Sequence, residues 1–297
     1  MSEPYERPLP VAALLLALGV SFGAPILVAS TGRPRPPAVQ PEAPATQAQN
    51  APAEVRAPAP APIPDGPVGA AIRRGQEIVT RTAETLPDHV GNGLHCTSCH
   101  LEGGTKPGAA PWVGLPGVFP EYRARSGRVD LLERRINDCF ERSMNGTALD
   151  PNSDDMTAVV AYMTWISRDV PSGRTPPGRG FRRIDPPRTP NRENGQAVYA
   201  QRCASCHGAD GAGQSPGGQY GFPALWGDRS YNIAAGMARL DTAAAFVRTN
   251  MPLGQGNTLS EQEAYDVADY FIHQPRPDFA RKNLDWPRGG RPRDARY

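Results

Sequence analysis

Cys96-Thr97-Ser98-Cys99-His100 decides how the rest of this chain is read. C-x-x-C-H is the attachment signal of a c-type haem, because two cysteines at this spacing reach the two vinyl groups of one porphyrin while the adjoining imidazole meets the iron. His100 is then the proximal iron ligand. Cys203-Ala204-Ser205-Cys206-His207 repeats the pattern and makes His207 the proximal ligand of a second haem. C-x-x-C pairs also serve redox disulfides and zinc sites, but neither chemistry requires a histidine directly after the second cysteine, and this chain has one there twice. Two covalently bound haem c groups, on Cys96/Cys99 and on Cys203/Cys206, are the expected cofactors.

Outward from the first motif, Ala71, Ile72, Ile78 and Val79 recur on one side of a helix that begins near Val68 and ends before Pro87. Leu101 to Gly127, rich in Gly and Pro, should wrap irregularly around a haem. A second helix is expected over Val129–Ser143. A third starts at Ser153, an N-cap followed by Asp154 and Asp155. The second unit repeats this order: a helix over Arg192–Arg202, the haem motif, a loop through Trp226, a helix over Asp241–Asn250, and a last helix opened by the capping box Ser260-Glu261-Gln262-Glu263. That is the order of a small cytochrome c domain, so the predicted fold is all-α: two tandem class I cytochrome c-like domains, residues 68–170 and 189–275, joined by a linker, 171–188, and followed by a tail, 276–297.

The chain has 297 residues, and its formal net charge of +2 gives no reason to expect nucleic acid as a partner. Residues 10–29 carry no charge and approach the ~20 residues that span a bilayer. Residues 1–30 therefore read as a signal-anchor, with a cleaved signal peptide as the alternative. Residues 31–67 are dominated by Pro and Ala and read as an extended tether. Either route exports the remainder, so the expected location is periplasmic, tethered to the inner membrane or released after cleavage.

Each iron needs a sixth ligand. For the second haem the candidates are Met237 and Met251, and Met251 is favoured because Pro252 stiffens the loop that presents its sulfur. For the first haem the candidates are Cys139, Met144 and His95. Cys139 lies among Arg134, Arg135 and Arg142, whose charges favour a thiolate.

At these residues the chain resembles the tetrathionate-forming thiosulfate dehydrogenases, dihaem cytochromes c with His/Cys ligation at the catalytic haem. The resemblance rests on Leu94–Leu101, Ala110-Pro111-Trp112-Val113-Gly114, Phe119–Arg125 and Arg135–Gly146, with Leu225-Trp226-Gly227, Ser230-Tyr231-Asn232 and Asn250-Met251-Pro252 in the second unit. It implies that Cys139 and Met251 are the sixth ligands, and that Arg125, Arg135 and Ser143 lie near the substrate. It further implies thiosulfate and tetrathionate as reactants and a cytochrome c or other redox protein as electron acceptor. Some family members carry Lys before the methionine and exchange ligands with it; Asn250 stands there in this chain. Two other roles are open to such a chain: a membrane-tethered dihaem electron carrier without its own substrate, and a cytochrome that conjugates thiosulfate to a carrier protein.

Overall fold

The computed structural model describes residues 58–59, 61–173, 175–176, 178–215 and 221–297, all within one compact unit that begins at Asn50. The apolar run 10–29 and most of the Pro/Ala stretch lie outside the described residues. No helix among those described is long and apolar enough to cross a membrane.

Two hydrophobic cores form, one around Ile72, Ile78, Phe140, Met156 and Val159, the other around Val198, Tyr199, Val247, Tyr265 and Phe271. In the first, helix α1 (Gly66–Thr80) crosses a later helix, Asp154–Trp165. In the second, the helix Arg192–Arg202 crosses the last one, Glu261–Ile272. Both crossings depend on a glycine. A Cβ at Gly75 would stand 2.0 Å from Ala158 O, and one at Gly195 would stand 2.0 Å from Asp266 O, so neither helix pair could approach as closely with any other residue. The helix starts behave as their residues dictate. Ser153 Oγ accepts from the Met156 amide, and Ser260 and Glu263 form the reciprocal capping box.

The helix-rich fold agrees with the all-α reading, to which the structure adds four details. First, a small antiparallel hairpin joins β1 (Glu121–Arg123) and β2 (Arg128–Asp130), in which Tyr122 pairs with Val129. Gly127, at φ +67°, makes the turn, and Ser126 Oγ donates to Asp130 Oδ2 at 2.8 Å. Second, the helix expected over Val129–Ser143 is divided: β2 takes its start, α2 (Leu132–Asp138) follows, and Cys139–Ser143 form one turn of π-helix closed by the Met144 amide on Cys139 O at 2.9 Å.

Third, the linker 171–188 packs as well as connects. Ile184 enters the second core, Ala109 bridges to Phe181, and the Phe181 ring meets Phe246 edge-on at 5.7 Å. Fourth, residues 276–297, named as the tail, pack on the first domain. Phe279 is buried, the Arg142 guanidinium lies 4.3 Å over its ring, and the Trp286 amide donates to Arg125 O at 2.8 Å. Later helices are α3 (Asp154–Trp165), α4 (Arg192–Arg202), α5 (Leu240–Asn250) and α6 (Glu261–Ile272).

Candidate active site

The two C-x-x-C-H motifs are built alike. His100 Nδ1 lies 2.7 Å from Ala110 O and His207 Nδ1 lies 2.9 Å from Pro223 O. A carbonyl can only accept, so each Nδ1 carries the proton and each Nε2 is left with its lone pair, the arrangement a metal-binding imidazole needs. A tryptophan follows each carbonyl, and each packs on a left-handed glycine: Trp112 on Gly104 (φ +81°) and Trp226 on Gly211 (φ +65°), where a Cβ would come within 1.9 and 2.2 Å of the indole. The five cysteines form no disulfide.

One cavity gathers Cys96, Cys99 and His100 with Arg135, Cys139 and Ser143, its remaining wall largely apolar through Leu94, Trp112, Ile136, Phe140 and Met163. Its three thiols are chemically unlike. Burial pushes Cys96 and Cys99 up to about 12, so both are neutral. Burial also works against ionising Cys139, but the Arg135 charge leads the effects that outweigh it and bring the thiol down to about 6. Cys139 is therefore a thiolate at neutral pH. Arg135 stands four residues earlier on the same helix face, so its Nη1 reaches Sγ at 2.9 Å, and the thiolate in turn raises the guanidinium's own pKa against the effect of burial.

The π-turn that carries Cys139 ends in carbonyls that a continuing α-helix would have satisfied. Asparagines take them instead. Asn232 Nδ2 donates to Glu141 O at 2.9 Å and its amide N–H to Arg142 O at 3.1 Å, while Asn92 Nδ2 donates to Ser143 O at 3.0 Å. Before the turn, Asn137 exchanges two 2.9 Å bonds with the Leu149 backbone. Cys139 thus sits on backbone fixed at both ends.

A porphyrin fits these residues. Two neutral thiols, an imidazole with a free Nε2 and an opposing thiolate converge on one largely apolar cavity, the donor set of a covalent haem with His/Cys ligation. In the second unit Met251 packs against the same core as Cys203, Leu225 and Trp226, whereas Met237 packs with Leu94 and Tyr231. Met251 is thus the methionine on the Cys203 side. Of the other candidates at the first site, Met144 and His95 both line the cavity, but His95 Nδ1 accepts the Ala83 amide at 3.2 Å.

The arginines are arranged differently from the sequence reading. Arg135 lines the cavity, and so does Arg179, a linker residue that sequence reasoning missed. Arg179 grips Glu121 of β1 with both Nη atoms, at 2.6 and 2.7 Å, which holds the carboxyl of Glu121 below the usual range. Arg125, at the hairpin tip, turns to Ala234 O (2.6 Å) and Asp285 (3.4 Å), under the Trp286 ring. Asp285 also takes a forked pair of bonds from Arg142, at 2.9 and 3.0 Å, and one from the Tyr297 hydroxyl. Nothing in the sequence separated Arg179 from Arg174, Arg182, Arg183 and Arg188 in the same Gly/Pro stretch between the two haem motifs.

Comparison with known proteins identifies both domains. Residues 88–172 match the SoxA/TsdA cytochrome c domain, and residues 190–271 match the model described as cytochrome c oxidase, cbb3-type, subunit III. The thiosulfate dehydrogenase of Psychrobacter arcticus is 53% identical over 79% of this chain and 72% of its own length. That of Allochromatium vinosum is 48% identical over 75% of this chain and 84% of its own. The solved thiosulfate dehydrogenase (TsdBA) of Marichromatium purpuratum superposes with a TM-score of 0.72 at 39% identity, covering 75% of this chain and half of that longer one. With two cytochrome c domains, a site built for a covalent haem and relatives this similar over most of its length, the chain belongs to the thiosulfate dehydrogenase family.

Proposed function

We propose that this chain joins two thiosulfate ions into tetrathionate in the cavity that holds Cys139 and passes the electrons through its second domain to an external redox protein. The observation that carries the reading is the Cys139 sulfur, 2.9 Å from Arg135 Nη1 in the cavity that also contains His100, Cys96 and Cys99. The reaction forms one S–S bond and releases two electrons and no proton. His100 and Cys139 would hold one haem and His207 and Met251 the other, and such a pair would supply the two one-electron acceptors that this stoichiometry needs.

What the polypeptide supplies is charge and position. Two dianions about 5 Å apart at an effective dielectric of about 20 repel by roughly 13 kcal/mol, so encounter requires fixed cations. Arg135 and Arg179 line the cavity, and Arg125 and Arg142 form a second pair around Asp285. Arginine suits a sulfur oxyanion because its guanidinium stays charged and presents a fixed fork of donors. Ser143, also in the cavity, adds a hydroxyl donor. Purified protein given thiosulfate and ferricyanide is expected to form tetrathionate without any other protein. If electrons appear only with a carrier-protein substrate, or not at all, the reading fails.

Attachment of haem to C-x-x-C-H takes place outside the cytoplasm, and the uncharged run 10–29 offers the export route; we place the folded part in the periplasm, tethered through residues 1–30. The intact mass of the mature protein tests both statements. It should show two haem additions on a chain that keeps its N-terminal residues. One haem or none would remove the dihaem assignment, and a new terminus near Thr31 would make the apolar run a signal peptide.

A further inference from the structure

Asn250, the residue before Met251, is fully buried at the C-terminal end of α5. Its Nδ2 donates to Phe246 O, one turn back, and to Gly108 O in the first domain, each at 3.1 Å. Both partners are carbonyls, which fixes the orientation of the amide and leaves Oδ1 buried without a partner. An orphaned acceptor of this kind costs about 1–3 kcal/mol. A leucine would remove that orphan but take the Asn250 donor away from Gly108 O, so the amide is accounted for by the bond it makes to the first domain and not by packing alone.

The bond to Gly108 is the first of three consecutive anchors. At Gly108 a Cβ would meet Thr249 Cγ2 at 2.7 Å, so the loop lies directly on the end of α5. Ala109, fully buried, bridges to Phe181. The Ala110 amide donates to Gly180 O at 3.0 Å, and Ala110 O accepts the His100 Nδ1 proton at 2.7 Å. From Met251 to His100 the connection therefore runs through one side chain and three residues of backbone.

We propose that Asn250 is a positioning residue that couples the two iron sites. By seating the segment that presents Met251 against Gly108–Ala110, it fixes the carbonyl that orients the His100 ring. A carbonyl that accepts firmly from Nδ1–H makes Nε2 a stronger donor to iron, and a stronger donor favours the ferric state. Release of the loop would weaken that bond and raise the potential of the first haem, although the substitution lies in the second domain. This inference rests on His100 and Met251 being ligands of the two haems, as proposed above.

The test uses the full holoprotein carrying Asn250→Leu, read by a redox titration that resolves both haems and by electron paramagnetic resonance of the first. The expected result is an upward shift of the first haem's potential together with a displaced low-spin thiolate signal. Asn250→Gln, which keeps an amide donor, should move both back toward the parent values. Arg248→Ala, on the same helix end but with its Nη1 donating to Asn257 near the surface, should move neither. If Asn250→Leu does not accumulate, Asn250→Ser, too short to reach Gly108, is read in the same way. A shift confined to the second haem, or none, would overturn the coupling. Absence of any thiolate signal in the unmodified protein would instead remove the ligand assignment, and the coupling with it.

Discussion

Cys139→Gly is expected to retain both covalent haems and the fold, yet to lose thiosulfate oxidation by a factor on the order of a thousand or more, the scale on which removal of a reacting group acts. Attachment uses Cys96, Cys99, Cys203 and Cys206, so the substitution touches none of the covalent bonds. It does remove the only thiol of the cavity that is ionised at neutral pH, and it takes from Arg135 the counter-charge that had been bonded to it at 2.9 Å. Low-spin thiolate signals should vanish while Met251 ligation at the second haem persists. The measurement is steady-state tetrathionate formation beside electron paramagnetic resonance of the same preparation. Turnover at the parent rate would make the thiolate a bystander and favour the electron-carrier role.

The parts of this site that were legible in sequence are those whose chemistry is local. C-x-x-C-H places two thiols and an imidazole within five residues, and Ser153 and Ser260 satisfy amides within their own first turns. Cys139 and Arg135 belong to the same class, because four residues of helix bring them together wherever the helix is placed. The glycine crossings were also written locally, as Gly75-Gln76-Glu77-Ile78-Val79 and Gly195-Gln196-Ala197-Val198-Tyr199, a repeat recognisable once each glycine is seen to lie under a backbone carbonyl.

What sequence reasoning missed depends on partners far along the chain. Arg179 enters the cavity because Glu121, 58 residues earlier, holds it there. The π-turn at Cys139–Ser143 is completed by Asn232, which belongs to the second unit. At the C-terminal end, residues 276–297 were read only as a tail. The aromatic residues Phe279, Trp286 and Tyr297 were the contrary signal: each lies against a group of the buried charge cluster, Phe279 over Arg142, Trp286 over Arg125, and Tyr297 on Asp285.

That cluster leads to the second large effect, at Asp285. Its side chain is 4% exposed and compensates two buried guanidinium groups, that of Arg142 through a fork and that of Arg125 at 3.4 Å. Removal of one member of a buried ion pair strands the other, which typically costs about 3–5 kcal/mol, well above the ~1 kcal/mol of an ordinary surface pair. Asp285→Ala is therefore expected to lower the unfolding free energy by about that amount. Arg142 keeps its 3.6 Å approach to Asp138 and its place over the Phe279 ring. Arg125 keeps only Ala234 O and the Trp286 ring, so the hairpin tip loses its charged anchor to the C-terminal segment. Catalytic efficiency should fall with it, through a higher KM for thiosulfate if these cations serve to gather the dianions. Tyr297→Phe removes a single hydrogen bond to the same carboxylate and should cost about 1 kcal/mol. Denaturant unfolding of the parent and both variants provides the comparison. An unchanged midpoint for Asp285→Ala would mean that the arginines find water or other acceptors, and that the C-terminal segment packs on the site without holding it together.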